Sequence, residues 1–271
     1  YGDARKAALD IRIIDPTAPD EGGSKVNRAV ETIRAVYERS TPVKGTQLVF
    51  SDLSTPIKTA AKDAAAFILR MTKTLDTEWH PNVQSLLDNR ATWNEKWRVV
   101  LGLLQEDLDT AAAIDGREEY REKLEKALES VSEDALSALQ TADSGFSVYD
   151  DIRAKLIQQG VPEKEIAFIH DYNTQKEKQE LFDRVNAGEV RILLGSTQKM
   201  GAGTNVQERA VALHHLDAPW RPSDMEQREG RVIRQKNKLY SAEPHGFRVE
   251  ILAYSTEQTF DAVMWQVLTR K

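Results

Sequence analysis

Five short runs in this chain are apolar almost without interruption: Gln47 to Ser51 (QLVFS), Ile166 to Ile169 (IAFI), Val190 to Leu194 (VRILL), Val211 to Leu216 (VALHHL) and Arg248 to Ala253 (RVEILA). A strand wetted on one face alternates apolar and polar residues. A run that does not alternate has to be covered on both faces, which is the condition of a parallel sheet between two helical layers. Helical periodicity fills the stretches between them, at Lys25 to Arg39, Ser147 to Gln159, Gln175 to Asn186, Pro222 to Ile233 and Glu257 to Thr269. Thr174 and Glu177 stand at capping-box spacing and fix the start of the third helix. Strand and helix in alternation predict an α/β domain whose working residues lie at the carboxyl ends of the strands.

One segment breaks this rhythm. From Ile57 to Asp143 the sequence is rich in Ala, Leu, Glu and Lys, with apolar residues three and four apart in runs such as REEYREKLEKALESVSEDALSALQ. It predicts two or three long helices, broken at Pro81 and Gly116. Trp93 and Trp97, one turn apart, are expected to be core between neighbouring helices, and the Glu and Lys runs a solvated face. The expected organisation is an α/β domain over residues 1–56 and 144–271, interrupted by an all-helical insertion over 57–143.

The insertion also carries the acidity. It holds 11 Lys and Arg against 17 Asp and Glu, which accounts for the whole formal net charge of −6. The remainder is balanced, and within it Ala218 to Lys238 has six basic residues (Arg221, Arg228, Arg231, Arg234, Lys236, Lys238) against three acidic ones (Asp224, Glu226, Glu229), a local excess compatible with phosphate contacts. Cysteine is absent, which excludes disulfides, thiolate zinc sites and cysteine nucleophiles and fits a reducing cytoplasm. No apolar run approaches the roughly 20 residues a bilayer requires. Tyr1 in place of Met, followed by Asp3, Arg5 and Lys6, predicts no signal peptide and a chain cut from something longer. His214 and His215 adjoin on one strand and must face opposite sides, while His80, His170 and His245 lack ligand spacing, so structural roles and no metal site are expected.

Two strand-end segments carry candidate chemistry. After VRILL comes Gly195-Ser196-Thr197-Gln198-Lys199-Met200-Gly201-Ala202-Gly203-Thr204-Asn205, small and hydroxylated enough either to offer backbone N–H groups to phosphate or simply to turn tightly. After VALHHL come Trp220-Arg221-Pro222 and then Gln227-Arg228-Glu229-Gly230-Arg231-Val232-Ile233-Arg234-Gln235. Arg231 and Arg234, three apart on an expected helix, would share one face, free for phosphate or bridged to Glu226 or Glu229.

Taken together these segments resemble the second RecA-like domain of superfamily 2 helicases, the Swi/Snf-type translocases above all. The Gly-rich loop looks like motif V, Gln227-x-x-Gly230-Arg231-x-x-Arg234 like motif VI, and Gln47 to Ser54 like motif IV, with Trp220-x-Pro222 at the Swi/Snf distance before motif VI. Where the Swi/Snf pattern has an acidic residue before the first motif VI arginine this chain has Gly230, which leans toward superfamily 2 helicases at large. A narrower resemblance, carried by SKVNRAVETI, TQLVFSDLSTP, VYDDIRAKL, IAFIHD, LLGSTQKMGAGTNVQ and ALHHLDAPWRPSDMEQREGRVIRQ, is to the helicase part of phage- and plasmid-borne helicase–adenine methyltransferase fusions. No Asn/Asp-Pro-Pro-aromatic motif of an adenine methylase is present.

The resemblance implies a RecA-like parallel sheet and a set of roles. Arg231 and Arg234 would be arginine fingers, with Gln227 coupling them to a partner lobe; Gly203 and Asn205 would line the ATP side of motif V. Ser196 and Thr197 would contact DNA phosphates, with Ser51 and Lys199 beside them. There is no G-x-x-x-x-G-K-[ST] motif: Gly22-Gly23-Ser24-Lys25 reads as a loop and helix cap, and Asp150-Asp151 begins a helix rather than a magnesium box. ATP and Mg2+ are therefore expected to be held mainly by an N-terminal RecA-like lobe of the same polypeptide. DNA, a possible adenine methyltransferase domain and no membrane complete the expected partners, in the cytoplasm. Two other readings remain: a nucleotide-independent interaction module working through the helical insertion, and a lone DNA-binding protein.

Overall fold

The five apolar runs assemble into a single parallel sheet in the computed structural model, which describes residues 2–76, 78–80, 92–200, 204–240 and 247–269. The strands are β1 (Thr46–Phe50), β2 (Ile166–Phe168), β3 (Ile192–Gly195), β4 (Ala210–His215) and β5 (Glu250–Ala253), in the order β2-β3-β1-β4-β5. Successive side chains point to opposite faces, so each run feeds two cores. Val49, Ile192 and Leu194 pack with the helices Lys25–Arg39 and Val148–Gln158, while Leu48, Phe50 and Leu193 pack with the helix Gln175–Ala187 on the other side. With both faces covered, no polar alternation is needed: the α/β fold expected from the runs forms, and its all-parallel sheet is consistent with the RecA-like fold that the resemblance implied. Among the described strands only β5, at the edge, is largely exposed, and it starts at Glu250 rather than Arg248.

Local signals hold most helix starts. Ser24 caps Lys25–Arg39 by accepting from the Asn27 amide, so Gly22-Gly23-Ser24 is indeed a turn and cap. Thr174 and Glu177 close a complete capping box on Gln175–Ala187, which ends at Gly188 with φ +74°. The helix after β4 is shorter than expected: it spans Pro222–Glu229 rather than reaching Ile233. Val232, buried at 1%, joins Leu213 and Val206 in the core, and reaching them takes the chain off the helix axis into successive turns after Gly230.

Contacts divide the chain into two compact units, residues 1–56 with 146–271, and 57–145. The second is all-helical and has its own core. Its described helices are Ile57–Thr72, Trp93–Ala112, Glu118–Glu129 and Glu133–Ser144, packed around Phe67, Ile68, Met71, Trp97, Val100, Leu104, Leu124 and Leu139. Trp97 packs against Phe67 with ring centroids 4.8 Å apart and planes tilted by 53°, and Trp93 packs against the same cluster, so both tryptophans are core. Four described helices replace the expected two or three. The missed break lies at Ser130–Ser132, where Ser132 caps a new helix by accepting from the Ala135 amide. Gly116, with φ +83°, is the break expected, and Pro81 lies outside the described residues. In the α/β unit the segments that flank this insertion meet: the Val148 amide donates to Ser54 Oγ at 3.0 Å and the Tyr149 hydroxyl to the Ser51 carbonyl at 2.7 Å. No described helix is long and apolar enough to cross a membrane.

Candidate functional site

The three central strands end level with one another, Phe50 pairing with Gly195 of β3 on one side and His215 of β4 on the other. Two positions beyond each end stand three polar residues: Asp52, Thr197 and Asp217. Parallel register carries them to the carboxyl edge together, where Arg228 from the helix Pro222–Glu229 joins them.

Arg228 is completely buried and uses every arm of its guanidinium. Nη2 donates to Asp52 Oδ2 at 2.6 Å and Asp217 Oδ1 at 2.9 Å, Nε to Thr197 Oγ1 at 2.7 Å, and Nη1 to the Asp217 carbonyl at 3.0 Å and His215 Nδ1 at 3.3 Å. Asp217 is pinned in turn, its Oδ2 accepting from Ser51 Oγ at 3.1 Å and from the Asp52 and Leu53 amides at 2.6 and 3.0 Å. Burial works to raise the Asp217 pKa, but the Arg228 charge and these donors outweigh it and hold the carboxyl below its ordinary value. Burial likewise opposes the charge on Arg228, and the two carboxylates reverse that, keeping it above its ordinary value.

The residues singled out in the sequence separate into two groups around this node. Ser51 and Ser196 are buried, at 1% and 0% exposure; the first donates to Asp217 and the second accepts from the Lys199 amide at 3.2 Å, so both hydroxyls hold loops rather than face solvent. Thr197 is half-buried, and both its donors go to one carboxylate: its amide to Asp52 Oδ1 at 2.7 Å and its hydroxyl to Asp52 Oδ2 at 2.8 Å. Lys199 is half-buried, and its ammonium forms no ion pair among the described residues. Gly203 lies outside the described residues.

Past the helix the arginines are differently placed. Because the helix stops at Glu229, Arg231 and Arg234 do not share a helical face; they sit in consecutive turns. Arg231 is 7% exposed, and its guanidinium has no carboxylate partner among the described residues. Burial, and then the Arg234 charge, pull its pKa below the ordinary value. Arg234 is exposed and donates from Nη1 to Asn205 Oδ1 at 2.8 Å, which joins the two loops that the sequence assigned to motifs V and VI. Gln227 is exposed. Neither Arg231 nor Arg234 is bridged to Glu226 or Glu229.

The two strand histidines are buried in the sheet and held on opposite faces of it. His214 sits between the Tyr254 hydroxyl on Nδ1 (2.8 Å) and Gln47 Oε1 on Nε2 (2.9 Å), so the proton is assigned to Nε2 from its partners, while His215 faces Arg228 on the other side of the sheet. Burial first, and neighbouring positive charge second, lower His215 to about 3. His245 lies outside the described residues. Among the described residues no group of three or more His, Asp or Glu is placed to hold a metal ion.

Sequence reasoning missed Arg228, Asp52 and Asp217. For the two aspartates the signal was available: a polar residue two positions past the end of each central strand.

No curated protein matches the chain. Among solved structures, the C-terminal part of the Fun30 ATPase domain is similar at 15% identity and a TM-score of 0.37, over 98% of this chain and 82% of that one, a likeness too distant to bear on function. The stretch that carries β2, β3, β4, Arg228, Arg231 and Arg234, residues 119–236, matches the helicase conserved C-terminal domain.

Proposed function

We propose that this chain is the C-terminal motor lobe of an ATP-dependent DNA helicase or translocase, completing an ATPase site with an N-terminal RecA-like lobe of the same polypeptide. The observation that carries the reading is the contrast among three arginines within the helicase-like stretch. Arg228 is saturated by protein groups, whereas among the described residues Arg231 has no carboxylate partner and Arg234 has only an amide oxygen. Guanidiniums without a carboxylate are suited to the bidentate hydrogen bonding of phosphate and to the charge that develops during phosphoryl transfer.

In this reading Arg231 and Arg234 reach the triphosphate as arginine fingers, Asn205 holds Arg234 against the nucleotide side of motif V, and Gly203 is the other ATP-side residue of that motif. Gln227, on the exposed face before them, couples them to the other lobe. ATP supplies the phosphoanhydride whose cleavage drives movement. The phosphate cradle and the Mg2+ ligands come from the other lobe, since this sequence has no P-loop motif. Thr197 and Lys199 contact the DNA backbone, and Ser51 and Ser196 shape the loops beneath them. Such contacts position without reading sequence. A linked adenine methyltransferase domain follows from the resemblance to the fusion proteins, and a cysteine-free sequence fits a reducing cytoplasm.

ATP hydrolysis by this chain, alone and joined to its upstream lobe, with and without duplex DNA, tests the reading. Turnover is expected only in the two-lobe form, stimulated by DNA, and it should fall by about a thousandfold or more on Arg231→Ala or Arg234→Ala. Hydrolysis by this chain alone, or undiminished turnover in either variant, would sink it.

A second reading rests on the insertion's separate core. If removing residues 57–143 leaves DNA-stimulated ATPase intact but abolishes capture of a protein partner, the insertion is an adaptor rather than part of the motor.

A further inference from the structure

Charge at the strand ends does not balance. Arg228 brings one positive charge to two carboxylates, and the carboxylates are not equivalent: the Asp217 side chain is 1% exposed and the Asp52 side chain 18%. In formal charge one carboxylate is enough for the guanidinium; Asp217 is the fully buried one, and three further donors fix it in place. Asp52 is surplus and stands at the rim.

The donors around Asp52 are those of an oxyanion site. A backbone N–H (Thr197, 2.7 Å), a hydroxyl (Thr197 Oγ1, 2.8 Å) and a guanidinium N–H (Arg228 Nη2, 2.6 Å) converge on its two oxygens. Thr197 therefore has no hydrogen left to give: its amide and hydroxyl hydrogens both go to Asp52, and its oxygen already accepts from Arg228 Nε. A phosphate that is to be bound by Thr197 can be bound only in place of that carboxylate.

We infer that Asp52 occupies the seat of a nucleic-acid backbone phosphate and swings out when the phosphate enters. This rests on the reading of the strand-end loops as a DNA-binding edge, and it adds the residue that guards it. The Asp52 backbone is pinned through its amide to Asp217, so the exchange needs only a turn of the side chain into solvent. The incoming oxyanion inherits the same three donors, and Arg228 keeps Asp217 as its counter-charge throughout. The carboxylate thus sets a threshold: a polyanion with neighbouring Lys199 contacts exceeds it, and a lone anion does not.

The test is the affinity of this chain for a short DNA duplex, read by fluorescence anisotropy across a salt series, for wild type, Asp52→Asn, Lys199→Ala and Asp52→Asn with Thr197→Val. Asp52→Asn should bind about tenfold more tightly at low salt, with the gain shrinking as salt rises, and Thr197→Val should cancel the gain. Affinity that is unchanged or weaker in Asp52→Asn, while Lys199→Ala still weakens binding, overturns the inference and leaves the DNA reading standing. No duplex binding by any form at low salt removes both. Should Asp52→Asn fail to fold, the wild-type Thr197 amide resonance serves instead: it is expected to move on duplex addition, and binding that leaves it in place overturns the inference.

Discussion

Arg228→Met keeps the length of the side chain and removes its charge, and the structure sets what that costs. Breaking a buried ion pair from one side costs about 3–5 kcal/mol, because the other charge is left buried and unpaired. Here the loss falls on Asp217. Its Oδ2 keeps three donors, but its Oδ1 loses the partner at 2.9 Å, while Asp52, partly exposed, can turn to water. The lower end of the range applies, about 3 kcal/mol, equivalent to about 6–12 °C in Tm for a domain of this size. Urea unfolding should show a lower midpoint at an unchanged slope.

A pH signature accompanies it. In the wild type Arg228 overcomes the effect of burial and holds the Asp217 pKa below its unfolded value, so that carboxylate's contribution is present above the ordinary carboxylate range and is lost as pH falls through the folded value. Without Arg228, burial prevails and the carboxyl takes up a proton at higher pH, so the stability gap between variant and wild type narrows on acidification. Asp217→Asn in the same chain should relieve much of the damage. A loss below about 1 kcal/mol, or strict additivity of the two substitutions, would refute the assignment of Arg228 as the counter-charge of Asp217.

Two further outcomes are expected. His170, His214 and His215 are each held near a pKa of about 3, chiefly by burial, whereas their unfolded forms protonate near 6.5. Their contribution is complete above pH 6.5 and drains away as pH falls toward 3, so denaturation midpoints should decline across that window, and less steeply in His214→Gln; identical slopes would count against it. Gly188→Ala places a Cβ at φ +74°, 2.7 Å from the Lys44 Cβ, and should cost at least about 1–2 kcal/mol in thermal unfolding, an expectation that an unshifted Tm would contradict.

The sheet was legible because its physics is local in sequence. QLVFS and VALHHL are covered on both faces, so each reads as a strand without its neighbours. The end of the helix Pro222–Glu229 was not legible, because what ends it is the burial of Val232 in a core built from β4 and the loop at Val206. Arg231 and Arg234 could be picked out by spacing, but not the fact that Arg234 meets Asn205. Arg228 looked like one more basic residue in a basic stretch. Its partners, 11 and 176 positions away, are brought to it by parallel pairing, and no spacing rule links an arginine to carboxylates at such separations.

The hydrogen bond between Ser54 and Val148 spans 94 positions, yet both residues belong to the α/β unit. The host itself therefore holds the departing and returning strands of chain together, and the guest does not have to supply that proximity. Loop-closure cost rises by only about 0.6 kcal/mol for each doubling of length, so whatever lies between these anchors can lengthen, shrink or be exchanged with little thermodynamic consequence for the sheet. A parallel sheet of this kind is thus free to acquire a new helical body at one point in its sequence while the register that assembles Asp52, Thr197 and Asp217 stays as it is.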